Sequence, residues 1–195
     1  MNLASLESLT WLNPPPRLTV SEGVLQVETG LKTDFWRETY YDFIHDDGHF
    51  GSTPVMGDFS AEVTFRGAYE ALYDQAGMML RLDETTWLKA GVEYTDGIQH
   101  LSVVVTRGVS DWSVLPLALQ PATVRLRLTR LGSAVLVQYA LESGPWAMLR
   151  LSALTEAPTL DVGVMCCSPQ RAGFTATFET FRVGDPATRD LHTAS

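Results

Sequence analysis

Cysteine is almost absent from this chain: there are two, Cys166 and Cys167, and they are adjacent. On a strand, neighbouring side chains point to opposite faces, so the pair cannot close an ordinary disulfide with each other. A disulfide framework is excluded, and a reducing compartment suits the thiols. Long apolar runs are also missing. Nowhere do about 18 uninterrupted apolar residues occur, as a membrane helix requires. The first ten residues, MNLASLESLT, have no basic region followed by an apolar stretch. The expected location is therefore cytoplasmic, with no membrane partner. Positive charge is scarce as well. Fourteen Lys and Arg face 23 Asp and Glu, a net charge of −9, which disfavours nucleic acid and anionic lipid. Glycine-rich phosphate loops, Ser-His-Asp orderings and nucleophile elbows are not found. Nor is there a convincing amphipathic helix.

The chain does have strands, read from two-residue alternation. The clearest stretch is 73–107, YDQAGMMLRLDETTWLKAGVEYTDGIQHLSVVVTR. Ala76, Met78, Leu80 and Leu82 fall on one face of its first strand; Gln75, Gly77, Met79 and Arg81 fall on the other. In the second, Leu88, Ala90, Val92 and Tyr94 oppose Trp87, Lys89, Gly91 and Glu93. Asp96-Gly97 is a strong signal for a two-residue hairpin, because both central positions of a type I′ turn need positive φ. That turn sets Thr95 opposite Ile98, Glu93 opposite His100 and Gly91 opposite Ser102. One sheet thereby gains an apolar face and a polar one.

Along the rest of the chain, Leu18–Val20 and Val24–Thr29 form a hairpin through Glu22-Gly23. Asp58–Phe65, Ser110–Leu115, Thr123–Arg130, Ser133–Leu141 and Trp146–Leu151 read as further strands. Leu160–Cys167 is apolar enough to be covered on both faces, and 173–183 changes phase near Glu179-Thr180, which predicts a bulge. The proline-rich segment through Pro16 and the polar tail beyond Gly184 are expected outside regular structure. About a dozen short strands at close spacing predict an all-β, antiparallel two-sheet β-sandwich, a single domain over 1–195.

With these residues laid out, the chain resembles the regulation-of-enolase protein family, a group of domains of unknown function with a concanavalin A-like jelly-roll fold of the lectin/glucanase superfamily. The resemblance rests on Trp11-Leu12-Asn13-Pro14-Pro15, the segment from Asp34-Phe35-Trp36-Arg37 to His49-Phe50, and Gly57-Asp58-Phe59. It continues through Tyr73-Asp74-Gln75-Ala76-Gly77, Lys89-Ala90-Gly91-Val92-Glu93-Tyr94 and Ser110-Asp111-Trp112-Ser113-Val114. What it implies is a jelly roll and, from the family's name, a regulatory protein partner. It implies no catalytic residue.

The polar face of 75–107 is the candidate site. Gln75, Arg81, Lys89, Glu93 and His100 converge on it, and Arg81 and Lys89 come close if the DETT connection is short. Like charges side by side call for an acidic group or a ligand between them. Gly77 and Gly91 would leave a hollow beside the charges. Trp36, Tyr40, Tyr41 and Trp112 could line it, since sugar C–H faces pack on aromatic rings. The expected function is a non-catalytic binding module for a carbohydrate or a small polar or anionic metabolite. Two alternatives stand beside it: a protein-interaction or regulatory role on a metabolic enzyme, and a glycoside hydrolase pairing Glu93 with a loop carboxylate such as Glu38 or Asp42. His45, Asp46, Asp47 and His49 form a metal-like cluster, but Asp-Asp-Gly reads as a turn, so neither metal nor cofactor is expected.

Overall fold

The computed structural model describes residues 2–3 and 6–191. In chain order its strands are β1 (Asn2–Leu3), β2 (Thr10–Leu12), β3 (Arg17–Ser21), β4 (Val24–Glu28), β5 (Phe35–Arg37) and β6 (Ile44–Asp46). There follow β7 (His49–Met56), β8 (Phe59–Gly67), β9 (Gln75–Asp83), β10 (Thr86–Thr95), β11 (Ile98–Arg107) and β12 (Val109–Pro116). The last are β13 (Val124–Leu131), β14 (Ala134–Leu141), β15 (Ala147–Ala153), β16 (Thr159–Cys167) and β17 (Thr175–Gly184). The fold is a two-sheet antiparallel sandwich. One sheet has eight strands in the order β15-β14-β13-β8-β17-β4-β3, with β1 beside β17; the other has seven, β12-β11-β10-β9-β16-β7-β2.

Alternation along the strands fills the space between the sheets. Phe59, Val63, Phe65, Leu126, Phe178 and Phe181 of the first sheet meet Met78, Leu80, Leu88, Val92, Leu101 and Val162 of the second, all buried. Each such side chain contributes about 1.5–3 kcal/mol by leaving water. Register on the β9–β11 meander follows the Asp96-Gly97 turn, with Thr95 opposite Ile98, Glu93 opposite His100 and Gly91 opposite Ser102. Both turn residues have positive φ. The predicted irregularity in β17 lies between Phe178 and Thr180. Cys166 faces the core between the sheets, while Cys167 faces the opposite side of β16.

Four expectations are corrected. The segment through Pro16 is not wholly irregular: Leu6–Ser8 is a 3-10 turn and Thr10–Leu12 pairs with β7. A strand was hidden at His49–Met56, where alternation is weak and Pro54 falls beyond the end of β2. Leu82 lies past the buried part of β9 and is 41% exposed. Gly77 and Gly91 pair across β9 and β10, and a Cβ on either would stand about 2 Å from a carbonyl oxygen of the facing strand. These glycines answer to backbone approach, not to a hollow. Of the polar tail, 192–195 lie outside the described residues.

Candidate functional site

The outer face of the seven-stranded sheet is not open to water. The segment between β4 and β7 crosses it as the β5–β6 hairpin, registered Phe35 to Asp46, Trp36 to His45 and Arg37 to Ile44. Phe35 and Trp36 press onto Met79, Trp87, Val104, Met165 and Cys167, making a second apolar cluster separate from the core. Two ion pairs fix the hairpin to the sheet. Arg81 grips Asp46 through both nitrogens, each bond 2.8 Å. Lys89 donates to Asp34 Oδ1 at 3.1 Å and to the Phe35 carbonyl at 2.7 Å. Arg81 and Lys89 therefore have separate carboxylates. They are also not cross-strand partners, because an irregularity at Thr86/Trp87 sets Arg81 opposite Trp87 and Lys89 opposite Met79.

Beside the hairpin the polar face opens into a cavity of about 280 Å³. Its floor is Gln75, Lys89 and Glu93, with Asp34 at one side; Trp36, Tyr41, Phe43, Tyr73 and Trp112 form walls. The volume is close to the lower end of small-molecule sites, roughly 300–1,000 Å³. Phe43 stacks on Tyr41, and the other rings meet edge to face. Trp36 stands at 89° to Trp112 and 69° to Tyr41, and Tyr73 at 78° to Trp112. A hydrogen bond of 3.2 Å joins the Tyr41 and Tyr73 hydroxyls across the mouth. That bond, with partial burial, pushes the Tyr73 hydroxyl up to about 12.

Glu93 is the least compensated group on the floor. Ser102 Oγ donates to its Oε2 at 2.6 Å and Trp112 Nε1 at 3.2 Å; Oε1 has no partner among the described residues. Burial raises its pKa, and the opposing pull of Lys89 and Ser102 does not cancel that rise. For Lys89 the balance falls the other way. Burial alone would lower its pKa, but Asp34, with smaller help from Cys167 and Glu93, carries it above the ordinary value.

Of the residues singled out from sequence, Trp36, Gln75, Lys89, Glu93 and Trp112 come together around this cavity. Arg81 and His100 do not line it. Arg81 anchors Asp46, and His100, though opposite Glu93, contacts the Ile98 carbonyl at 3.3 Å. Tyr40 is 91% exposed and outside the walls. Glu38 and Asp42 are exposed and do not line the cavity either; the second carboxylate there is Asp34. Asp34, Phe43 and Tyr73 were missed as site residues. For Asp34 and Phe43 the available signal was the aromatic density of 34–50. The metal-like cluster is dispersed: His45 pairs with Asp47, Asp46 with Arg81, and His49 lies between the Asn13 carbonyl and the Gly30 N–H. Buried Asp74 is held by Arg171, away from the cavity.

A family profile described as a protein of unknown function (DUF1349) matches residues 11–186. The chain belongs to this family. Regulation of enolase protein 1 of Saccharomyces cerevisiae is 40% identical over 186 residues, covering 95% of this chain and 94% of that protein. The crystal structure of a functionally unknown protein from Saccharomyces cerevisiae superposes with a TM-score of 0.91 at 39% identity, covering 95% of this chain and all of that one. A GH43 glycoside hydrolase with an engineered active site superposes with a TM-score of 0.68 at 16% identity, over 94% of this chain and 39% of its own. That likeness shows the sandwich fold alone.

Proposed function

We propose that this DUF1349 protein is a non-catalytic cytoplasmic binding protein that takes a small polar ligand, a carbohydrate or polar metabolite, in the cavity beside the β5–β6 hairpin. The observation that carries the reading is the floor of Gln75, Lys89 and Glu93 enclosed by aromatic walls. Polar groups kept buried at the end of an apolar-walled cavity cost stability unless something uses them. The two free, buried thiols suit a reducing compartment.

The second reading is regulatory. It is favoured by the relative named Regulation of enolase protein 1, whose length this chain nearly matches. The two readings combine naturally if ligand occupancy governs an action on a metabolic enzyme. One experiment addresses both: thermal shift of the purified protein against sugars and small metabolites, followed by enolase assays with the protein added, with and without any ligand found. A ligand shift lost on altering Glu93, and an enolase rate that follows occupancy, is the expected result. Absence of any ligand shift would remove the binding reading, and an enolase rate indifferent to the protein would remove the regulatory one.

A further inference from the structure

The buried charges around the cavity do not balance. Its inner wall carries two carboxyl groups, Asp34 and Glu93, and one ammonium, Lys89. Lys89 is already engaged by Asp34 Oδ1 and the Phe35 carbonyl. Glu93, only 6% exposed, receives neutral donors alone, both at Oε2. Gln75 gives its amide nitrogen to Asp34 and to the Tyr73 carbonyl, which leaves its amide oxygen as a second free acceptor. Of the other charged groups nearby, His45 is paired with Asp47, and Lys32 stands exposed at the mouth. Buried charges are normally paired. For the ionised form of Glu93 the missing partner is one positive charge.

The walls suit the same charge. Tyr41, Trp36, Trp112 and Tyr73 each stand at a steep angle to the next, so that ring faces are presented from several directions. Ring faces attract cations and are indifferent to, or repel, anions. At the floor an anion would find Glu93 facing it and at most one remaining Lys89 proton, with Lys32 out at the mouth.

We propose that the ligand of this cavity is an organic ammonium ion, its charge set against Glu93 Oε1 and its carbon frame against Trp36, Tyr73 and Trp112. The inference rests on the binding reading above and specifies its ligand. At ~30 Å³ per water the cavity holds the equivalent of roughly nine waters, so the ligand has about ten non-hydrogen atoms. An amino sugar is of about that size, and an amino alcohol or a quaternary ammonium alcohol fits within it.

The test is a thermal-shift and calorimetric series on the full chain with three sets of probes: ethanolamine, choline and glucosamine; glycerol and glucose; and glucose 6-phosphate. At least one ammonium compound should raise Tm by about 5–10 °C near a hundred times its Kd. The neutral and phosphorylated compounds should leave Tm unchanged. In Glu93→Gln, ammonium affinity should fall at least tenfold. Preference for the neutral sugars, or for the phosphate, would overturn the charge assignment and leave the binding reading standing. Ammonium binding unchanged in Glu93→Gln would locate the cation on the acidic surface and overturn the proposal. No response to any probe would count against both.

Discussion

The two sheets of the sandwich have outer faces written in the same alternating code but folded to different ends. On the eight-stranded sheet, Arg127 is bonded to Glu62 at 2.5 Å, Arg66 is paired with Glu179, and Trp146 lies over Arg127 with the guanidinium 4.1 Å from the ring. Each of the two ion pairs joins one cation to one anion, with part of each side chain open to water. On the seven-stranded sheet a hairpin covers the face, Lys89 and Glu93 are almost fully buried, and the one ammonium bonds Asp34 while Glu93 has only neutral donors. Polar alternation therefore marks where a face lies, and the covering segment decides whether that face is solvated or becomes a site.

Substitution of Lys89 gives the sharpest contrast. Lys89→Met would leave Asp34 without its cation and untie Asp34 and Phe35 from the sheet. Breaking a buried pair from one side costs about 3–5 kcal/mol. For a domain of this size that corresponds to a fall in Tm of roughly 6–20 °C, read by thermal or denaturant unfolding. Next comes Gly91→Ala. Its Cβ would stand 2.1 Å from the Ala76 carbonyl oxygen, and backbone cannot yield as a flexible side chain can. Overpacking of this kind costs about 1–3 kcal/mol or more. A wild-type denaturation midpoint in Gly91→Ala would mean that the strands do not approach as described.

The core was legible because its determinants are local. Alternation assigned the buried faces of β9, β10 and β11, and one dipeptide, Asp96-Gly97, fixed the register of β10 against β11 over ten residues. The irregularity at Phe178/Thr180 was visible as a change of phase in a single strand. The site was legible only in part. Lys89 to Asp34 spans 55 residues and Arg81 to Asp46 spans 35, and no pattern within one segment reports such pairings. Sequence placed Arg81 and Lys89 on one face without showing that each has its own aspartate from the same hairpin. His49–Met56 escaped because β7 is covered by β2 for three residues only, and its side chains do not alternate cleanly. Glu38 and Asp42 were reasonable as loop carboxylates. Positive φ at Glu38, Tyr40 and Asp42 instead curls that loop outward into solvent.

On the opposite sheet, Arg127→Met should cost about 1–2 kcal/mol, since the guanidinium loses one charged hydrogen bond while Glu62 and Trp146 can still reach water. A loss equal to that of Lys89→Met would erase the distinction between the two faces.

The smallest effect should also have the opposite sign. Burial raises the folded pKa of Glu93 above its unfolded value, so the folded state holds this proton more tightly. Below the unfolded carboxyl range, near pH 4, both states are protonated and no stability is lost. As pH climbs through the unfolded value towards the folded one, the buried carboxylate costs progressively more stability, and above the folded value the cost is complete. Glu93→Gln removes that cost while keeping an acceptor for Ser102 and Trp112. The variant should therefore melt a few degrees above wild type at pH 7–8, with the gain disappearing towards pH 4. A variant less stable than wild type at neutral pH would mean that Lys89 already balances Glu93 as well as Asp34. The cavity would then lack the unmet charge that distinguishes this face from the other.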